Sequence, residues 1–228
     1  MRIDLRKQCG AEALGTFGLV FAGTGAIVIN SVSGGSVTHV GIAITFGLVV
    51  MAMIYAVGGI SGAHINPSVT VALWAGRQFP GNRVLPYFTS QLVGALLASA
   101  LLHSLFPQSA TLGETLPAGT ATQSLVLEVV LTFFLMLVIL GVCNGPTATR
   151  PFAGVAIGGT VGLEAMFAGP ICGASMNPAR SLAPAIVGGQ LEHVWLYVVG
   201  PHVGALLAVA AWAFIGRRGV GDDGEEEA

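Results

Sequence analysis

Two short strings in this 228-residue chain carry residue types at a spacing that could do chemistry. Asn66-Pro67-Ser68 lies within SGAHINPSV, and Asn177-Pro178-Ala179 lies within CGASMNPAR, with Arg180 directly after it. Asn followed by Pro is a helix-start signal, because Asn caps free backbone N–H groups and Pro fits a first turn that needs none. One such pair marks little more than a helix beginning, whereas two pairs at matching places in a duplicated chain mark a site. If Pro67 and Pro178 begin short helices, the amides of Asn66 and Asn177 are left free to donate into the space between them. Two helix N-termini aimed at one spot concentrate partial positive charge there. That field repels cations and turns each passing water with its oxygen toward the centre, which breaks the hydrogen-bonded wire a proton needs. The connections hold no nucleophile–base pair, metal-ligand cluster or phosphate loop and are too short to house one, so no enzyme, metal or cofactor is expected.

The elements that must position these strings are membrane helices. Hydrophobic residues make up 54% of the chain and charged residues 9%, against about 25% charged in soluble domains. So few charges could not cover a water-exposed surface, and a net charge of -2 gives no reason to expect nucleic acid. The 33 glycines suit helices packed closely in lipid. Cys9, Cys143 and Cys172 lie in or beside apolar segments and read as small buried hydrophobes. A span needs about 20 apolar residues, and six stretches qualify: 9–30, 38–59, 84–106, 122–143, 152–170 and 192–215. Two more, 66–76 and 177–187, are too short to span and read as re-entrant segments. Arg2, Arg6, Lys7, Arg77, Arg83, Arg150, Arg217 and Arg218 all fall on one side, which places both termini in the cytoplasm by the positive-inside rule. Arg180 alone breaks that rule, and a charge at depth is costly and functional by default.

The chain is also a duplication. Glu12, Thr16 and Phe17 in the first span match Glu128, Thr132 and Phe133 in the fourth; QLVGALLA from Gln91 matches PHVGALLA from Pro201. The halves are 1–118 and 119–216, followed by an acidic tail over 217–228. Three spans per unit force the second copy into the opposite topology, an inverted repeat. Loss of the first span as a signal peptide would leave that repeat incomplete, so cleavage is not expected. The short helices then enter from opposite faces and meet at the centre, where irregular backbone is tolerable only if it is buried in protein or lines a cavity. A pore follows. Glu12 and Glu128 are expected to accept hydrogen bonds from the irregular backbone before each short helix, His64 to support its loop or line the cytoplasmic pore, and Glu164 to make an interhelical contact. Gly154, Gly158 and Gly162, with Gly94/Ala98 and Gly204/Ala208, read as packing seams.

The double Asn-Pro signature, with MIYAVGGISGAHINPSVT and MFAGPICGASMNPARSLAP around it, resembles the aquaporin and aquaglyceroporin family over nearly the whole chain. Within it, the strings are most similar to the nodulin-26-like branch and its bacterial relatives. Ser68 stands where the family usually has Ala. The resemblance implies an all-α channel of six membrane helices and two half-helices, assembled as a homotetramer and passing water and small neutral solutes. It also implies a filter of Phe46, Ala165, Ala174 and Arg180. Water-selective members usually place His where this chain has Ala165, so a wider, more apolar filter is expected, with glycerol and metalloid hydroxides such as arsenite as candidate solutes. Ser181, where glycerol facilitators usually have Asp, and the pair Tyr197-Val198 point less clearly. The competing readings are a water-selective channel, an ion-coupled secondary transporter using the carboxylates as relays, and a closed channel serving as a scaffold. The short chain suggests a prokaryotic inner membrane.

Overall fold

A computed structural model describes residues 4–215, so the expected acidic tail at 217–228 lies outside the described residues. Eight α-helices follow one another: α1 Leu5–Val32, α2 Thr38–Ser61, α3 Pro67–Ala75, α4 Val84–Leu105, α5 Ala121–Asn144, α6 Ala153–Cys172, α7 Pro178–Gly188 and α8 Val194–Ile215. Six are long and apolar enough to cross a membrane. The nine residues of α3 and eleven of α7 reach only about 14 and 17 Å at 1.5 Å per residue, roughly half the hydrocarbon thickness. The first span begins earlier than hydropathy indicated. Asp4 caps it by accepting from the Arg6 N–H at 3.2 Å, so the helix includes a charged turn that an apolar window leaves out.

The polarity of the molecule is that of a protein in lipid. Leu14, Phe134, Leu163 and Phe167 are exposed on the outer surface, while Glu12, Thr16, Gln91, Glu128 and Thr132 are fully buried. Outside, lipid tails satisfy apolar side chains; inside, polar groups find one another. Thr16 and Thr132 each donate back to the carbonyl four residues earlier, Glu12 O at 2.8 Å and Glu128 O at 2.7 Å, so both close their hydroxyls within their own helix.

The inverted repeat is carried by paired contacts. Helix α1 packs on α4 as α5 packs on α8, and α2 meets α6 across the middle. Each half-helix packs chiefly against the last span of the opposite half, α3 on α8 and α7 on α4, so neither half can bury its own alone. The seams depend on missing side chains. A Cβ on Gly47 would sit 2.7 Å from the Gly158 carbonyl oxygen, and one on Gly94 or Gly204 would collide with the carbonyl of Ala13 or Val129. Such close backbone approach replaces the hydrophobic drive that lipid removes. A Gly158→Leu substitution is expected to force α2 and α6 apart at a cost of about 1–3 kcal/mol or more, since backbone must shift rather than side chains. Fluorescence-detected size exclusion should show a lower melting point in detergent or loss of the folded peak.

Candidate functional site

The N-termini of α3 and α7 meet inside the protein. Asn66 caps α3 by accepting from the Ser68 N–H at 2.9 Å, and Asn177 caps α7 by accepting from Ala179 and Arg180 at 3.0 and 3.4 Å. Pro67 and Pro178 occupy the first helical position of each. The side-chain amides are not wholly free, which corrects the expectation from sequence. Asn66 Nδ2 donates to Met176 O at 2.7 Å, and Asn177 Nδ2 donates to Ile65 O at 2.8 Å. The two caps therefore brace one another reciprocally across more than a hundred residues of chain. Each amide carries a second N–H, and both side chains line a cavity.

The stretches before the caps are irregular and strained. Helices α2 and α6 end on left-handed Gly62 and Gly173, an ordinary helix end. Beyond them, Ala63, Ile65, Ala174 and Met176 all take positive φ, at 46°, 43°, 41° and 54°. Left-handed residues other than Gly cost about 1–3 kcal/mol each and persist only where the surroundings over-determine them. The surroundings here are two carboxylates. Glu12 accepts from the His64 N–H at 2.9 Å and the Ile65 N–H at 2.7 Å; Glu128 accepts from Ser175 and Met176, each at 2.8 Å. Gln91 adds to Glu12, donating to Oε2 at 2.8 Å and also to Thr70 Oγ1 at 3.0 Å. Its repeat equivalent is Pro201, which has no amide to give.

The cavity measures about 350 Å³. Its lining combines apolar side chains, Leu19, Val50, Leu135, Ile139, Ile157 and Val161, with Asn66, Asn177, Arg180 and residues 62–65 and 174–176 of the irregular segments. Of the four filter positions expected from the family resemblance, Phe46, Ala174 and Arg180 line it. The Arg180 guanidinium lies 5.0 Å from the Phe46 ring centroid and donates from Nη1 to Gly113 O at 2.6 Å. Arg180 is buried, and its Nε has no partner among the described residues. Ala165 is buried one turn beyond Val161 on the same face of α6, Val161 being the last α6 residue that lines this cavity.

His64 also lines the cavity, with Nδ1 3.1 Å from Thr70 Oγ1 and its ring against Phe79 and Tyr87. Glu164 is buried with Oε2 unpartnered among the described residues, so its expected interhelical contact is not a hydrogen bond to that oxygen. Sequence reasoning missed the part of the α4–α5 connection that reaches the site. Gly113 holds Arg180, and Thr115 Oγ1 donates to Ser181 Oγ at 2.7 Å. A main-chain carbonyl acceptor has no sequence signature.

The family model "Major intrinsic protein" matches residues 1–214. This chain belongs to the major intrinsic protein family. It is a multi-pass membrane channel protein and not an enzyme. Among major intrinsic proteins it is 50% identical to aquaporin NIP1-1 of Oryza sativa subsp. japonica over 205 residues, covering 90% of this chain and 72% of the rice protein. Nodulin-26 of Glycine max is 46% identical over 213 residues, covering 93% and 78%. The X-ray structure of the aquaglyceroporin from Plasmodium falciparum superposes with a TM-score of 0.84 at 24% identity, covering 93% of this chain and 97% of that one. These sequence relatives are plant proteins, which argues against the prokaryotic inner membrane expected from chain length. For this major intrinsic protein, Glu12→Gln should be costly. An amide offers one acceptor where the Ile65 and His64 N–H groups need two, and a buried donor left unpaired costs about 1–3 kcal/mol. A lower thermal midpoint in detergent and reduced water permeability per reconstituted protein are expected.

Proposed function

We propose that this protein is a passive pore for water and small uncharged solutes that excludes ions and protons. The observation that carries the reading is the reciprocal bracing of Asn66 and Asn177, which fixes two helix N-termini against one cavity. Positive ends of two half-helices disfavour a cation at that point, and the remaining amide protons can hold a permeating oxygen while its neighbours turn away. The apolar side chains in the same lining offer a solute no competing hydrogen bonds, so a molecule with hydroxyls on one edge and carbon on the other suits it. Glycerol and metalloid hydroxides have that form. The ion-coupled reading draws no support, because both oxygens of Glu12 and both of Glu128 are occupied by backbone N–H groups.

Phe46, Ala165, Ala174 and Arg180 are proposed as the filter, with the small side chains of Ala165 and Ala174 setting its width. A second reading, a water-selective channel, is favoured by one observation: Phe46 and Arg180 face each other closely enough to narrow the passage by themselves. Stopped-flow light scattering on proteoliposomes separates the two. Water and glycerol should both enter the wild type, and Ala165→His should lower glycerol permeability about tenfold, a barrier change of about 1.4 kcal/mol, with water little altered. Unchanged glycerol flux in that variant would sink the width argument. Arg180→Val should change the ratio of glycerol to water permeability.

The halves are taken to join near residues 118 and 119, and the assembly to be a homotetramer with a pore in each subunit. Both termini are placed in the cytoplasm on the distribution of Arg and Lys. A tag after Ala228 should accordingly resist protease in right-side-out vesicles and be cut in inverted ones.

A further inference from the structure

The two halves stabilise their strained segments by the same device with one exchanged component. In the first half His64, two residues before Asn66, meets Thr70, four residues after it, and Gln91 of α4 donates to that same Thr70 hydroxyl. In the second half Ser175 and Ser181 hold the equivalent positions around Asn177, and their hydroxyls lie 2.5 Å apart. Ser175 Oγ donates onward to Asn177 O at 2.9 Å. Pro201 stands where Gln91 would be, so that position of α8 supplies no donor. The donor comes instead from the connection between α4 and α5, as Thr115 Oγ1. The result is a directed chain of buried hydroxyls, Thr115 to Ser181 to Ser175 to the Asn177 carbonyl.

We infer that Thr115 is a positioning residue for solute selectivity, acting through Ser181 and Ser175 on the cavity wall at Ala174 and Asn177. Ser175 lies in that wall between Ala174 and Met176, the two left-handed residues of the segment. Their backbone is held by Glu128 and Asn66 on one side and by this hydroxyl chain on the other. Thr115 is itself fixed by packing, since a Cβ on Gly173 would lie 2.9 Å from its Cγ2, and by the bond from Ala118 N to Ile171 O at 2.9 Å. Selectivity on this side of the pore is therefore set partly from the outer connection, while the other half is held from within a membrane helix. The inference rests on the reading of Phe46, Ala174 and Arg180 as the filter.

Urea, glycerol and water permeabilities of the full chain in proteoliposomes test it, read as ratios so that the amount of assembled protein cancels. Thr115→Val keeps the shape and removes the donor; the expected outcome is a change of about fivefold in the solute-to-water ratio, the scale of one net hydrogen bond. Thr115→Ser restores the donor and should restore the wild-type ratio. Ser181→Ala interrupts the chain one step further in and should match Thr115→Val. An unchanged ratio in Thr115→Val, a parallel fall of water and solute, or failure of Thr115→Ser to rescue would each overturn the inference. Arg180→Val run alongside reports on the filter reading itself: if it leaves the ratio unchanged, that reading fails whatever Thr115 does.

Discussion

Hydrocarbon offers no hydrogen bonds, so a peptide segment that leaves helical geometry in the middle of a membrane must have its N–H and C=O groups met by other parts of the protein. Two such segments exist here, residues 62–66 and 173–177, and the rest of the molecule is arranged around them. Glu12 and Glu128 meet their N–H groups, each from a membrane helix of its own half. Asn66 and Asn177 meet a carbonyl each, but across the interface between halves. The first kind of bond lets each segment exist; the second fixes the distance between the two helix ends and hence the geometry of the cavity they line.

Strain and charge are both held by over-determination. Four left-handed residues other than Gly occur at matching positions in the two segments. Ile65 and Met176 are each held by a carboxylate at the N–H and by the opposite Asn at the carbonyl, and Ala63 N–H donates to Ser61 Oγ. The buried cation is handled similarly. Arg180 has a carbonyl acceptor in Gly113 and an aromatic face in Phe46, which lowers the cost of its burial while leaving donors for what passes. At the equivalent place in the first half stands Val69, which also lines the cavity. Duplication thus produced one charged and one apolar approach to the same centre.

Exchange of half-helices between the halves ties the parts into one body. Because α3 packs on α8 and α7 on α4, separating the halves would expose both short helices. The tight seams at Gly47 with Gly158, Gly94 with Ala13 and Gly204 with Val129 bring helix backbones together.

Much of this was legible in the residues alone. Apolar runs of about twenty residues can only be membrane helices in so weakly charged a chain, the paired Glu and Asn-Pro positions expose the duplication, and an odd number of spans per unit dictates inversion. These are local properties of composition, period and spacing, which need no knowledge of contacts. The start of α1 at Leu5 was missed because a capped, charged turn lies outside any apolar window. Only the tertiary structure decided where the Asn66 and Asn177 amides point, since their acceptors are carbonyls of Met176 and Ile65, more than a hundred residues away. It alone decided that the α4–α5 connection reaches Arg180 and Ser181, because a backbone carbonyl and a single hydroxyl leave no pattern in a sequence. It decided as well that Val161 lines the cavity while Ala165, one turn further along the same face of α6, stands beyond that lining, a difference in height set by the packing of α6 against α2 and α5.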